Sequence, residues 1–252
     1  MLSPKEIAHY HETGQVTPDY RLGDDVISAV EQRMEALFTS RPDLDPNFAD
    51  SLIEIDKSWL GYAAYPDILD AVAQLLGNDI IVWASNFFCK KGKGGKETPW
   101  HQDGRYWPIR PLTACTVWIA IDQSTPENGC SRIIPGSHRE RRLFEHEVDS
   151  SDQVVLEQTL SATSMPAVDP VNVVPEPGMM SFRDVYTIHG AEPNESGTRR
   201  AGLTFRYMPM SSYYDRELAT ELGGLPQNPF RELHLVRGID VCGRNDIYRP
   251  RD

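Results

Sequence analysis

The chain is poor in cysteine and shows no pairing pattern among the few it has. Cys89, Cys115, Cys130 and Cys242 are the only four in 252 residues, and none falls in a CxxC spacing. A disulfide framework is therefore excluded as the basis of the fold. Cys115 sits in an apolar stretch and reads as a core residue, and nothing marks any of the four as a nucleophile. No apolar run approaches the eighteen or so residues a membrane span needs. Met1-Leu2-Ser3-Pro4-Lys5-Glu6 lacks the charged-then-apolar order of a signal peptide, so a reducing cytoplasm is the expected compartment. Positive charge is also short, with Lys+Arg 25 against Asp+Glu 37 for a formal net charge of −12. That balance argues against a nucleic-acid backbone or an anionic membrane as partner and leaves a small molecule. Repeats and low-complexity tracts are absent, and nothing in the sequence decides between a monomer and a homodimer. With 40% hydrophobic and 25% charged residues, the chain has the composition of one globular domain spanning 1–252.

Periodicity divides that domain. Residues 1–79 read as mostly helical support. Ser3 with Glu6 forms a capping-box signature ahead of Ile7 and Tyr10, and Gly14 offers a stop. Val26, Ile27, Val30, Met34 and Leu37 recur at helical spacing over 25–37, and Ile68, Leu69, Val72 and Leu75 do so over 66–76. Residues 41–49 form a polar connection. From Ile80 the pattern turns to short β-rich runs at 80–84, 116–121, 171–174, 178–182 and 201–208, separated by Gly and Pro turns. The expected fold is mainly β with flanking helices: a double-stranded β-helix (jelly-roll, cupin-like) barrel over 80–210, with N-terminal helices. The aperiodic stretch 140–168 reads as an insertion near the mouth, and 211–252 as a C-terminal segment. Three glycines in 90–96 suggest a mobile turn, and both stretches are expected to act as lids.

The chemistry concentrates in Thr98-Pro99-Trp100-His101-Gln102-Asp103-Gly104. Residues i and i+2 share one face of a strand, so His101 and Asp103 can converge on one ion. A third ligand, His189, ends another strand-like run 88 residues later, and Arg200 follows after eleven more. Two imidazoles and one carboxylate leave three positions open, the arrangement suited to non-haem Fe(II) that must also bind a co-substrate and O2. A nearby guanidinium offers a bidentate fork to a free carboxylate, which points to 2-oxoglutarate. A metal hydrolase or isomerase could use the same three ligands to activate water, and a cupin-like binding protein could use none of them. Arg200 speaks against the former and the intact ligand set against the latter. His9, His11, His146 and His234 have no metal-like partners, and His138 reads as structural.

These residues resemble the phytanoyl-CoA dioxygenase family of iron- and 2-oxoglutarate-dependent oxygenases. The similarity runs through Glu97 to Asp103, Arg110-Pro111, Trp118, Asn128-Gly129-Cys130 and Ile134-Pro135-Gly136-Ser137-His138. It continues through His189-Gly190 with Asn194 and Ser196, then Arg200 and Leu235-Val236-Arg237-Gly238. It implies that His101, Asp103 and His189 bind iron, that Gln102 and Trp118 lie against 2-oxoglutarate, and that Arg200 grips its distal carboxylate. Some members carry a serine two residues after the distal histidine, where this chain has Ala191. Related halogenases replace the carboxylate ligand with a small residue, so Asp103 implies oxygenation, by hydroxylation, desaturation or oxidative cleavage, and not chlorination. Candidates for substrate contact are Arg105, Tyr106, Trp107, Arg110 and Arg237. Tyr106 and Trp107 also suit packing at the barrel's end, and Arg110 or Arg237 pairing with local carboxylates.

Overall fold

The structure, a computed structural model, describes residues 1–149, 151–223 and 228–249. The N-terminal third is helical for the reasons its sequence suggests. Ser3 and Glu6 cap α1 (Pro4–Thr13) reciprocally, with Ser3 N donating to Glu6 Oε2 at 2.7 Å, and Gly14 ends the helix at φ 87°. Next come α2 (Asp24–Ser40), the single turns α3 (Leu52–Ile55) and α4 (Leu60–Ala63), and α5 (Pro66–Leu76). The buried stripes Ile27, Val30 and Met34 of α2 and Ile68, Leu69 and Val72 of α5 face one core.

In chain order the strands are β1 (Gln15–Val16), β2 (Ala49–Asp50), β3 (Ile80–Lys90), β4 (Thr98–His101), β5 (Ile109–Arg110), β6 (Cys115–Ala120), β7 (Ser131–Ile133), β8 (His146–Val148), β9 (Gln158–Leu160), β10 (Val171–Val173), β11 (Met180–Asp184), β12 (His189–Ala191), β13 (Arg200–Pro209), β14 (Tyr213–Tyr214) and β15 (His234–Arg237). The larger sheet has the order β1-β11-β6-β13-β3-β15, with β2 also on β3; the smaller has the order β10-β7-β12-β4. The strands within both sheets pair antiparallel. This is the expected mainly β, jelly-roll-like architecture, except that two-residue strands from the helical third also join the larger sheet.

Period-two alternation explains how the larger sheet serves two environments. On β13, Ala201, Leu203, Phe205 and Tyr207 pack into the helix-covered core. Their alternates Arg200, Gly202, Thr204 and Arg206 take the opposite face and are buried as well. On β6, Cys115, Val117 and Ile119 join the same core, as do Met180 and Phe182 of β11. Thr116, Trp118, Ser181 and Arg183 thus lie with the polar face of β13, and that face looks across a cavity toward the smaller sheet.

The two stretches expected to act as lids make defined contacts. Lys93 N donates to Ser196 O at 2.8 Å, Gly94 N to Asn194 O at 3.1 Å and Asn194 N to Gly95 O at 2.9 Å, tying 93–95 to 194–196. The glycines there permit close approach: a Cβ on Gly92 would stand 2.8 Å from the Gly197 carbonyl. The insertion 140–168 carries the β8–β9 hairpin, and of it only Ser150 lies outside the described residues. In the C-terminal segment β14, α6 (Arg216–Leu222) and β15 are described, while 224–227 and 250–252 lie outside. No described helix is long and apolar enough to cross a membrane.

Candidate metal centre

Two strands of the smaller sheet bring the histidines together. β12 pairs with β4 so that His189 lies opposite His101, and their ring centroids are 4.1 Å apart. His101 is the last residue of its strand and Asp103 the first of a 3-10 turn; Gln102 between them is extended (φ −114°, ψ 128°). The i, i+2 relation therefore survives the end of the strand. One ligand atom from each of His101, Asp103 and His189 lies within 4.8 Å of the others, all three residues being buried.

The ring nitrogens have divided roles. His101 Nδ1 is 2.8 Å from Pro99 O and His189 Nδ1 is 3.0 Å from Thr187 O. A carbonyl can only accept, so each Nδ1 carries a proton and each Nε2 is left facing inward. Those two Nε2 atoms stand 3.6 and 3.9 Å from Asp103 Oδ1. The other carboxylate oxygen faces away: Oδ2 accepts from Thr116 Oγ1 at 3.0 Å and meets Arg183 Nη2 at 3.4 Å. Burial opposes the charge on Asp103, but the neighbouring cations Arg183 and Arg206 help outweigh it, and the carboxyl lies well below its usual range. Burial, with Arg183 and His101 alongside, keeps the His189 imidazole well below its usual range and neutral. An ionised Asp103 and a neutral His189 are protonation states a metal ion requires. Distances, burial and donor chemistry together fit a divalent metal.

Second contacts fix these ligands from a distance. Thr187, whose carbonyl orients His189, donates its Oγ1–H to Gly14 O at 2.9 Å. Gly14 is a glycine for a local reason, since a Cβ would lie 2.2 Å from Thr187 Oγ1 and 2.6 Å from His138 Nδ1. The end of α1 thereby braces the distal ligand. His138 takes part in this bracing, with Nε2 3.1 Å from His11 O, in keeping with a structural role.

Around the three ligands lies a cavity of about 760 Å³ of atom-free space, open mouth included. Trp118 and Arg200 line it, the Arg200 guanidinium 5.3 Å from the Trp118 ring centre. Arg200 is only 4% exposed; Nη1 donates to Gly129 O at 2.7 Å, while Nε is buried without a partner. Burial pushes its guanidinium down to about 10, still charged at neutral pH. Tyr106 and Trp107 line the cavity too, and both also pack: Trp107 stacks edge-on with Trp83 at 4.9 Å and Tyr106 Oη donates to Gln158 O at 2.9 Å.

Four predicted positions are not in the cavity. Gln102, expected against the co-substrate, spends its amide on Arg142 O, Tyr186 O and Phe144 N at 3.0, 2.7 and 2.7 Å. It anchors the start of the insertion, because alternation turns it away from the face shared by its neighbours. Arg105 is exposed and reaches Gln158 at 3.3 Å, and Arg110 donates to Ile109 O at 2.7 Å. Arg237 pairs with Asp70 at 2.6 Å on the far side of the larger sheet. Two arginines that the sequence reading passed over, Arg183 and Arg206, line the cavity instead. Arg206 could have been found by counting, since it lies an even number of residues from Arg200 on one strand.

Comparison with known proteins places the chain among relatives. The phytanoyl-CoA dioxygenase (PhyH) family matches residues 10–202. A probable phytanoyl-CoA dioxygenase of Caenorhabditis elegans is 30% identical over 221 residues, covering 81% of this chain and 69% of that protein. An ectoine dioxygenase of Bordetella bronchiseptica is 28% identical over 58% of this chain, which spans only 52% of the relative. Among solved structures, the epimerase SnoN in complex with Fe3+, alpha-ketoglutarate and a nogalamycin superposes with a TM-score of 0.73 at 20% identity, covering 94% of this chain and 96% of that one. The family match over most of the chain and the likeness to the worm protein place this chain in the phytanoyl-CoA dioxygenase family.

Proposed function

We propose that the protein is a non-haem Fe(II)- and 2-oxoglutarate-dependent dioxygenase that oxidises an aliphatic C–H bond of a small, polar metabolite, most simply by hydroxylation. The observation that carries this reading is the meeting, in one cavity, of a buried His101–Asp103–His189 ligand set with a buried guanidinium, Arg200, that has donors to spare. His101, Asp103 and His189 would hold the iron; Arg200, flanked by Trp118, would hold the distal carboxylate of 2-oxoglutarate. Bound there, iron supplies the oxidising power for which 2-oxoglutarate and O2 are consumed, giving succinate and CO2.

The chain's own residues position and exclude. Pro99 O and Thr187 O keep both imidazoles in the metal-binding tautomer. Thr116 and Arg183 engage Asp103 Oδ2, which leaves Oδ1 as the atom that would meet the metal. With the carboxylate present, the position a halogenase would open to chloride is filled, which supports oxygenation over halogenation. Walls from both sheets and from Leu156 of the insertion bury the site, so the reacting bond is placed and bulk water limited. A hydrolase would have no use for a guanidinium with spare donors at this position. The test is anaerobic addition of Fe(II) and 2-oxoglutarate to metal-free protein: a weak visible charge-transfer band is expected, and its absence in protein shown to contain iron would refute the assignment. Succinate release on admitting O2 with candidate metabolites, read with substrate mass, then identifies the reaction.

A further inference from the structure

The cavity holds more positive charge than iron and 2-oxoglutarate account for. Arg183, Arg200 and Arg206 all line it, and among its lining residues the one carboxylate is Asp103. A divalent iron and a doubly negative co-substrate cancel each other, so three guanidiniums against one carboxylate leave about two positive charges facing the space. Lys90, the nearby lysine on β3, is not one of them: its Nζ turns to Ala191 O and Glu192 O at 3.0 and 2.5 Å.

The excess is localised. On three adjacent strands Arg183 of β11, Thr116 of β6 and Arg206 of β13 lie in one register row, so the two arginines flank the threonine that donates to Asp103. Arg206 is 4% exposed; Nη1 donates to Asn86 Oδ1 at 2.6 Å, Cζ lies 5.3 Å from the Trp107 ring centre, and Nε is buried with no partner. Arg183 touches Asp103 through Nη2, and its Nε too is buried without a partner. Arg200 stands six residues along β13 from Arg206, roughly 20 Å of strand. A five-carbon dicarboxylate running from the metal to Arg200 therefore spends its distal carboxylate away from the other two. Buried guanidiniums with idle donors are costly unless a ligand completes them.

We propose that Arg183 and Arg206 form a second anion subsite, which selects a small substrate bearing a carboxylate or phosphonate group and holds that group beside the metal. The proposal rests on the iron and 2-oxoglutarate reading and narrows its substrate class. Because Arg183 contacts the metal carboxylate itself, the oxidised C–H bond lies only a few bonds from the anionic group. Trp107 and Tyr106, packed at the same end, supply the apolar wall for the intervening carbons.

Calorimetric titration tests this with three probes of similar size: butanoate, propylphosphonate and uncharged butanamide. Anaerobic wild-type protein, loaded with Fe(II) and saturating 2-oxoglutarate, should bind at least one anion roughly ten- to a hundredfold more tightly than the amide. The tighter of the two anions names the head group. Arg206→Met and Arg183→Met should each remove most of that preference, and Arg206→Lys should restore part of it. Thermal melts show whether each variant is folded, and two independent positions guard against one that is not. Equal binding of amide and anions, or an anion preference untouched in both folded Met variants, overturns the proposal. So does an Arg206→Met protein that loses 2-oxoglutarate but keeps the anion preference, since Arg206 would then serve the co-substrate. If wild type binds neither Fe(II) nor 2-oxoglutarate, the enzyme reading fails instead, and the same probes on unloaded protein still decide the subsite.

Discussion

Gly202→Ala is a one-carbon change that should damage both fold and co-substrate site. Gly202 faces the cavity beside Trp118, and a Cβ there would stand 2.1 Å from Trp118 Cε2 and Cζ2 and 2.5 Å from Nε1. Ordinary contact begins near 3.4 Å, so the indole must retreat by more than about 1 Å. The strand beneath cannot give, because β13 is paired along both edges, to β3 and to β6. The ring must therefore tilt, taking with it the surface over which the Arg200 guanidinium lies. Overpacking of this kind costs roughly 1–3 kcal/mol, and the loss of glycine's unfolded-state freedom returns about 0.4–1 kcal/mol. A net loss near 1–2 kcal/mol corresponds to a fall in Tm of roughly 2–8 °C for a chain of this size. Differential scanning calorimetry reads the stability, and the anaerobic charge-transfer band reads 2-oxoglutarate affinity, which should weaken severalfold. Combining Gly202→Ala with Trp118→Leu makes room for the methyl, so the pair should lose less stability than the single changes summed. A Gly202→Ala protein with wild-type Tm and wild-type affinity would refute the close-packed arrangement of Gly202, Trp118 and Arg200.

Four further outcomes follow from the geometry. His101→Ala, His189→Ala or Asp103→Ala should abolish iron retention on dialysis and with it turnover, since two ligands hold the ion poorly; a variant that keeps both iron and activity would remove that residue from the site. Arg200→Ala should raise the 2-oxoglutarate requirement roughly ten- to a hundredfold with a smaller effect on substrate, measurable by steady-state kinetics. Arg199 turns the other way, to Asp122 at 2.8 Å, Glu31 at 2.7 Å and Glu35. Arg199→Ala should therefore lower stability by about 1 kcal/mol in urea titrations while 2-oxoglutarate affinity holds; the opposite pattern would mean the β13 register is wrong by one. Lys90 is pushed down to about 6, first by burial and then by Arg200 beside it. Between that value and its ordinary one near 10.5 the unfolded chain binds the extra proton, so stability should rise with pH across the window, by up to ~1.4 kcal/mol per unit. Lys90→Met should flatten the rise between pH 7 and 9, and an unchanged slope would exclude Lys90 as its source.

The legible parts of this protein are those governed by spacing within one segment. Helices α1 and α5 were readable because a capping serine, an N-terminal proline and a four-residue apolar stripe act locally. His101 and Asp103 were readable because two residues of extended chain return a side chain to the same face. That same alternation contradicts the expectation for Gln102, which the family resemblance placed against the co-substrate: a residue between two inward-facing ligands must face outward, and its amide is bonded there to 142–144 and 186. Alternation also carries Arg200 to Arg206 along β13. One carboxylate anchor, Arg200, meets the needs of the inferred chemistry, which by itself does not single out Arg206.

What the sequence hides is decided by partners far along the chain. Arg183 enters the cavity only because β11 pairs with β6 in a register that sets it opposite Thr116. Arg237 leaves the list of substrate contacts because Asp70, on α5, lies within reach. The glycines of 90–96 illustrate the ambiguity most directly. Glycine admits mobility and close approach equally, and the backbone of 194–197 lies against them in a way that needs the close approach. That contact bears on the metal site as well. It ties the turn after β3 to the segment that follows His189, while Lys90 Nζ grips the carbonyls of Ala191 and Glu192 in between. The distal ligand is thus braced from both sides, by Gly14 at the end of α1 and by the turn at 90–95. A substitution at either brace, though remote from the ion in sequence, should loosen His189 before it loosens His101.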